Sequence, residues 1–463
     1  MKTPWLPATL VLCTCLYGCC GQKQTVDCIL PLPPAPLRPA DHLYTLDELV
    51  QLAILRNPGL DAARYSAEAV EGLVDQVKSL WLPSLRYDFA ATTYNNDFSY
   101  PARPFGIATV NVPLTGAYNI FNNIALGQIV ATGGKRTSGL KQVKMLAELA
   151  RLDVLRKQDF ITFGVATLYH LVCLSNDVDV VLEDTLRRMR VYRQVAEELT
   201  ARGSLRSNRL NNLQADLAIT ALEQLQIAVR GGRQQAYAAL KQLVGLDPSE
   251  PMLLASASLP PAVTPSDLLS AAEAVATGFL RRPETREVDL FAKIFAEQVR
   301  FAKAAWAPNV AFVLDGINVT GDGNTILDAL HGVIVGVIVD LPLYQPARRG
   351  RLRQALNLEQ ASLAIQREVE QIITLDIQTT VIHAQQALAI WLHSARARQI
   401  AEEHFESARE AYSRELIMAP TLVVALGVDA AAKIANLTAT FNYHVARANL
   451  RRATAERSIP YGY

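Results

Sequence analysis

The sequence predicts a mainly α-helical chain organised as an internal tandem repeat, each half carrying one β-hairpin between helices. Three observations predict this. Two tryptophan-proline frames, WLPSL (81–85) and WAPNV (306–310), lie 225 residues apart, and Pro58/Pro283, Lys78/Lys303 and Val74/Val299 share that offset. No proline occurs between Pro113 and Pro248, and neither proline nor glycine from Arg351 to Ala419, so very long helices are permitted there. The residues just after each frame alternate with the period of two that a strand requires.

The repeat extends beyond the frames. LKQV (140–143) matches LRQA (352–355) at an offset of 212, so the first copy holds 13 more residues between its matched pieces. Those residues fall in its hairpin loop, where insertions are tolerated. Self-similarity of this kind is the first feature to settle, because it dictates the architecture.

The N-terminus, MKTPWLPATLVLCTCLYGCCGQ, has a basic start and an apolar run over 5–18, which suits a signal segment better than a bilayer span. Residues 1–19 read as a signal peptide with a lipobox. LYGC (16–19) resembles the bacterial lipoprotein box, with Leu16, Gly18 and Cys19 matching; lipidation at Cys19 and simple signal cleavage or an unprocessed anchor both remain open. Residues 20–42, including PLPPAPLRPA (31–40), form a stiff extended tether.

The first structural repeat spans 43–248. TLDELVQLAILRN (45–57) has helical apolar spacing, and Thr45 with Glu48 makes a capping box. Asn57-Pro58 breaks that helix, and 59–80 forms the next, stopped before Pro83. In the strand at about 84–94, Leu85, Tyr87 and Phe89 face one way and Arg86, Asp88 and Ala90 the other. Residues 95–118 read as a loop and about 119–132 as the return strand. A long helix runs from about Gly134 to Ala201, RGSLRS (202–207) breaks it, and a further helix reaches Leu246. A proline-rich linker occupies 249–264.

The second repeat, 265–457, follows the same order, with strands at about 309–319 and 331–344 around the turn TGDGN (320–324). A helix over 351–414 would be about 95 Å long. Its residues Leu358, Ala361, Ile365, Val369, Ile372, Leu375, Thr379 and Ile382 step by threes and fours as a coiled-coil-like seam. IMAPT (417–421) breaks it before a last helix to Arg457. Four strands per chain can neither close a barrel nor hide their edges unless several chains contribute.

Composition excludes several classes. Net charge is +1, so no global field recruits nucleic acid. Five of the six cysteines lie within the first 28 residues, which leaves no disulfide scaffold or zinc site, and Cys173 reads as a small buried apolar residue. The seven histidines are scattered. His393 and His404 share a helix face but stand about 16 Å apart, too far for one metal. No HExxH, GxSxG, Walker loop or dinucleotide fingerprint occurs, so no catalytic residue and no cofactor is assigned.

The tandem repeat, the NP-to-WLPSL frame with its RP-to-WAPNV copy, and the GGKR (133–136) and ARRGR (347–351) starts of the long helices together resemble the outer-membrane efflux protein family, the TolC-like channels. The resemblance covers about 43–457, and the lipobox fits the lipidated branch. It implies a mainly α fold with a membrane β-barrel: a homotrimer whose twelve strands close one barrel in the bacterial outer membrane and whose coiled-coil helices form a periplasmic α-barrel. Trp81, Pro83, Trp306 and Pro308 would mark the barrel junction. There the tryptophans either meet the membrane–water interface or pack the junction. Arg136, Arg348, Arg349 and Arg351 would meet lipid phosphates, cap the junction, or stand as solvated charge; a nucleic-acid patch is not supported, since aromatic partners are absent.

The family also implies an adaptor-docking turn at the helical tips, matched by Gly203, Ser204, Leu205 and Arg206. The second tip, ELIMAPT (415–421), has Glu415 where the family has glycine and adds Pro420. The family's aspartate past the tip is replaced by Asn211 in the first copy, and Asp429 is the nearest carboxylate in the second. Candidates for the closed aperture are therefore Leu422, Val423, Leu426 and Asp429, with a dewetted hydrophobic constriction as one form it could take. The implied function is the passive exit duct of a tripartite efflux or type I secretion system, with a periplasmic adaptor, an inner-membrane transporter and outer-membrane lipid as partners. The alternative is a non-conducting, periplasm-spanning coiled-coil tether.

Overall fold

A computed structural model describes residues 42–93, 99–102, 110–113, 118–202, 209–262, 270–321, 331–414 and 416–456. Cys19, most of the 20–42 tether and the tip residues Gly203, Ser204, Leu205 and Arg206 lie outside the described residues.

The chain opens with β1 (Leu43–Tyr44), α1 (Leu46–Arg56) and α2 (Pro58–Ser79). The expected capping box starts α1: the Glu48 amide donates to Thr45 Oγ1 at 3.3 Å and the Thr45 amide donates to Glu48 Oε2 at 3.0 Å. Asn57 separates the two helices by serving both. It accepts from the Leu60 amide at 3.0 Å as N-cap of α2, and its Nδ2 donates to the Leu243 carbonyl at 2.7 Å. Pro58 occupies the first turn of α2, where its missing N–H costs nothing.

Next come β2 (Ser84–Thr93), β3 (Ser99–Ala102), β4 (Val110–Pro113) and β5 (Tyr118–Ala131), then α3 (Lys135–Ala201) and α4 (Arg209–Val244). The segment read as a loop, 95–118, thus contains a small antiparallel pair, β3 with β4. Within the connector, β6 (Leu253–Leu254) pairs in parallel with β1. The remaining elements are α5 (Ala271–Arg281), α6 (Pro283–Lys303), a 3₁₀ turn (Ala304–Trp306), β7 (Asn309–Gly321), β8 (His331–Asp340), α7 (Ala347–Ser413) and α8 (Ala419–Ala453). The last strand ends at Asp340 rather than at 344, because its partner β7 begins at Asn309, opposite Asp340.

α3 and α7 are 67 residues each, about 100 Å long. Helices of that length cannot bury one face around a compact centre, so the core is strung along the bundle. One cluster joins α1, α2, α3 and α4 through Leu49, Leu60, Val165, Val172, Cys173 and Leu240. Cys173 is fully buried, as read from the sequence, and burial pushes its thiol up to about 11. A second cluster, Ala274, Ile373, Ile377, Val381 and Ala453, joins α5, α7 and α8. A third lies toward the tips and contains Met189, Phe405, Leu422, Ala425 and Leu426. α3 and α8 each hold a stretch apolar enough to cross a bilayer by length and composition, but both are substantially buried in the bundle.

The seam read along α7 mostly does not pack within the chain; Val369 is the exception, half-buried against the cluster of Ile373 and Ile377. Leu358, Ile365, Ile372, Leu375 and Ile382 are exposed, whereas the face against the rest of the chain is built from Ala355, Ser362, Ile373, Ile377, Thr380 and Ala384.

Candidate functional site

The sheet is antiparallel in the order β2-β5-β7-β8, with β2 and β8 at its edges. Register assigns its two faces, because directly paired residues lie on the same side. One face carries Leu85, Tyr87 and Phe89 from β2, Ile124 and Leu126 from β5, Phe312 and Leu314 from β7, and Val333, Val335, Val337 and Val339 from β8. It is largely apolar; Asn122, Gln128, Asn318 and His331 are polar members toward its ends, and Tyr87 Oη donates to Asn122 Oδ1 at 2.8 Å. The other face is mixed: Arg86, Asp88, Asn123 and Asp315 stand beside Phe121, Ile317, Val319, Ile334 and Ile338, with Arg86 paired to Asp88 at 2.8 Å. The alternation read in β2 from the sequence does not extend to β8, whose Ile334 and Ile338 put large apolar side chains on the second face as well.

Each frame ends a helix by i→i−3 bonding and starts a strand. The Trp81 amide donates to the Lys78 carbonyl at 3.0 Å and the Ala307 amide to the Ala304 carbonyl at 3.2 Å. Pro83 and Pro308 then stand immediately before β2 and β7, where a missing donor is tolerated. Trp81 and Trp306 are both exposed on the junction, so neither is a core residue of this chain.

The returns from sheet to helix lock onto the same frames. Gly133 and Gly134 both adopt positive φ, +57° and +95°, which turns β5 sharply into α3. Gly133 also abuts Ala307 so closely that a Cβ there would overlap the alanine methyl. Lys135 Nζ donates to Asn309 Oδ1 at 2.8 Å. Arg136 donates to the carbonyls of Leu80 and Ile129 at 2.8 Å and of Val130 at 2.7 Å, and stacks over Trp81. In the second half Arg348, only 6% exposed, donates to the Pro342 carbonyl at 2.9 Å and to Gln345 Oε1 at 3.2 Å. Of the three readings of the basic cluster, junction capping therefore holds for Arg136 and Arg348, while Arg349 and Arg351 face outward.

At the opposite end, the aperture candidates divide. Leu422 and Leu426 are each 1% exposed and packed on Met189 and Phe405, so the expectation that they line a constriction is corrected: they are core. Val423 is half-buried against the same cluster. Asp429 is buried too, with Lys433 Nζ at 2.8 Å from its Oδ2. The apolar side chains this stretch of α8 turns outward are Val424 and Val428, 63% and 46% exposed. Higher in the bundle, Asp179 clamps α3 to α4, accepting from Arg230 Nε at 2.9 Å and Gln226 Nε2 at 3.0 Å.

A further feature had no sequence signal. His170 of α3 and His444 of α8 stack with ring centroids 4.9 Å apart, and His444 Nε2 lies 2.9 Å from the Pro260 carbonyl. Burial, then the neighbouring His444, pushes His170 down to about 4; burial also lowers His444. The cavity beside them, about 180 Å³, is lined by Asp47, Asp159, Arg447, Arg451, Arg452 and Glu456. Among the described residues no group of three or more His, Cys, Asp or Glu side chains could hold a metal ion.

A mostly helical chain with two helices of this length and a four-stranded sheet having one apolar face has the fold of outer-membrane channels, and comparison with known proteins agrees. Residues 49–246 match the family model described as outer membrane efflux protein, which bears out the resemblance read from the sequence. No curated protein sequence matches significantly. Among solved structures, the outer-membrane channel OprN is similar at TM-score 0.75 and 18% identity, over 88% of this chain and 89% of that one. VceC, an outer membrane protein of Vibrio cholerae, is similar at TM-score 0.73 and 17% identity, over 88% and 95%. The open state of the MtrE outer membrane channel of Neisseria gonorrhoeae is similar at 0.72 and 16%, over 88% of both chains. At these identities the structural likeness concerns the fold.

Proposed function

We propose that the chain is one protomer of an outer-membrane efflux channel that acts as the passive exit duct of a tripartite efflux or type I secretion system. The observation that carries this reading is the sheet: one largely apolar face, a second face on which its charged Arg86, Asp88 and Asp315 lie, and two edges open to partners. Its strands of 10, 14, 13 and 10 residues meet the length of about 9–11 that a tilted strand needs to cross a bilayer. An open edge is not tolerated in hydrocarbon, so closure with other copies is required. Three copies give a twelve-stranded barrel with the apolar face toward lipid and Arg86, Asp88, Asn123 and Asp315 toward the lumen. The exposed α7 seam then packs between protomers in a helical tunnel. The duplicated units at 43–248 and 265–457, joined by 249–264, supply equivalent hairpins to barrel and tunnel.

In this reading Cys19 carries the lipid anchor, Gly203–Arg206 docks a periplasmic adaptor, and an inner-membrane transporter supplies energy. The test is conductance in planar bilayers with the oligomer mass determined in parallel. A trimer with small open–closed steps is the expected result. A monomer, or a trimer that never conducts even with the tips truncated, would point instead to the envelope tether.

A further inference from the structure

The helix ends around the junction share a charge pattern that capping does not account for. They are 76–83 at the end of α2, 133–147 at the start of α3, 298–308 at the end of α6 and 341–358 at the start of α7. Together they hold 11 of the chain's 45 lysines and arginines and none of its 44 aspartates and glutamates. The rest of the chain is therefore net acidic, and the cations are concentrated beside the sheet.

Some of these cations have internal work. Arg136 and Arg348 cap carbonyls, and Lys141 and Arg300 hold the buried Glu297 at 3.4 and 2.5 Å. Lys144, Lys303, Arg349, Arg351 and Arg353 are exposed and have no ion-pair partner among the described residues. Elsewhere on the long helices some exposed arginines pair within the neighbouring turn, as Arg187 with Asp184, Arg409 with Glu406 and Arg414 with Glu410, while Arg367, Arg396 and Arg398 do not. What sets the band apart is the absence of acids within its four segments; Asp75 and Glu297 stand just outside and hold Lys78, Lys141 and Arg300, leaving the other exposed cations unpaired among the described residues.

The band is also continuous. Lys303 is the last residue of α6, and Arg349, Arg351 and Arg353 fall within about 9 Å of the start of α7. α6 and α7 are packed together there through Val299, Ala302 and Ala355. Trp306, three residues past Lys303, is exposed at the foot of the sheet, where an amphipathic ring suits the boundary between hydrocarbon and headgroups.

We propose that this collar binds the anionic phospholipid headgroups of the membrane leaflet that faces the helices, with Lys303, Arg349, Arg351 and Arg353 as the phosphate contacts. The guanidinium fork matches two phosphate oxygens at once, and surplus positive charge without local acids is what an anionic leaflet complements. The inference rests on the barrel reading above.

The test uses the full chain, purified in detergent and incubated with equal amounts of phosphatidylcholine and phosphatidylglycerol, with retained lipid then counted by headgroup. Wild type is expected to retain phosphatidylglycerol roughly five-fold or more over phosphatidylcholine, and to lose the preference at high salt. The variant K303Q/R349Q/R351Q/R353Q is expected to retain both lipids equally, with phosphatidylcholine unchanged. R187Q/R409Q, distant from the collar, is expected to behave as wild type. If the fourfold variant does not fold, R349Q/R351Q is used, with a partial loss expected. Equal retention by wild type, or a preference that survives the collar substitutions, overturns the proposal while leaving the barrel intact. Retention of neither lipid sinks the barrel reading, and the collar with it.

Discussion

The Arg136 guanidinium carbon lies 4.9 Å from the centre of the Trp81 ring while its nitrogens donate to the carbonyls of Leu80, Ile129 and Val130. One side chain thereby ties the end of α2, the end of β5 and the start of α3. Arg136→Ala strands three acceptors and removes the ring contact, so a loss of about 2–3 kcal/mol is expected in urea unfolding. Arg136→Lys recovers less than half of it, because one ammonium cannot reach three divergent carbonyls. Equal stability of Arg136→Ala and wild type would show that the junction holds without the arginine.

The two adjacent glycines before α3 make a paired experiment. Both have positive φ, but only at Gly133 would a Cβ overlap Ala307, and nothing lies near a Cβ on Gly134. Gly134→Ala is expected to cost about 1–2 kcal/mol for the left-handed backbone alone. Gly133→Ala adds overpacking and is expected to cost about 3 kcal/mol or more. Adding Ala307→Gly removes the clashing methyl and is expected to restore the difference between the two. Equal costs for both single variants would mean that the WAPN turn yields freely.

Stacked between α3 and α8, His170 and His444 give the bundle a pH dependence whose sign follows from burial. The folded pKa of His170 is about 4, below its unfolded value of 6.5. The unfolded chain therefore binds more protons between those values. The stability from keeping this ring neutral is complete above pH 6.5 and is lost as pH falls toward 4. The shift corresponds to about 3 kcal/mol across that window. Arg447, Arg451 and Arg452 line the adjoining cavity together with Asp47, Asp159 and Glu456, so other groups titrate nearby. Wild type minus His170→Phe, each unfolded between pH 7.5 and 4, isolates the histidine. A flat difference would remove its role.

The exposed seam of α7 separates assembly from folding. Ile372 and Leu375 are exposed, while Ile373 between them is buried against α5 and α8. In the proposed trimer, Ile372→Lys or Leu375→Lys forfeits about 2 kcal/mol of burial at each of three interfaces and adds like charges. Sedimentation is expected to show protomers with undiminished helix content by circular dichroism. Ile373→Ala is expected to lower protomer stability by about 2–4 kcal/mol instead. An intact trimer with lysine at 372 and 375 would place the interface elsewhere.

Local signals were legible because their physics is local. The Thr45–Glu48 box, Pro58 in the first turn of α2 and the prolines before β2 and β7 each act within a few residues, and the structure has them where the sequence implies. The last strand reads longer in the sequence than it is, because Leu341, Leu343 and Tyr344 prolong the apolar pattern past the point where β7 can pair. The α7 seam was legible as a stripe but not as to partner. The face that packs within the chain is made of Ala355, Ser362, Thr380 and Ala384 as much as of isoleucine, and small residues give little hydropathy signal. His170 and His444 are 274 residues apart, so their stacking has no local trace. The same blindness affected the tip. Leu422 and Leu426 are apolar and follow the break, as lining residues would, but spacing alone does not say which side of α8 meets the bundle.

That correction yields a discriminating test of the aperture. Leu422 and Leu426 fill the cluster around Met189 and Phe405, so Leu426→Ala opens a cavity in the chain's own core. Its expected effect is a loss of about 2–5 kcal/mol in stability. Val424 and Val428, four residues apart on the outward face of the same helix, can meet their counterparts across a trimer axis without disturbing that core. In such a ring, three valines a turn apart from three more exclude water from a narrow pore, and a polar side chain rewets it. Val424→Ser and Val428→Ser are therefore expected to raise the open fraction and single-channel conductance in planar bilayers while leaving the melting temperature near that of wild type. If instead Leu426→Ala opens the channel and the two valine variants are silent, the tip must rotate α8 on assembly and bring its present core face to the lumen.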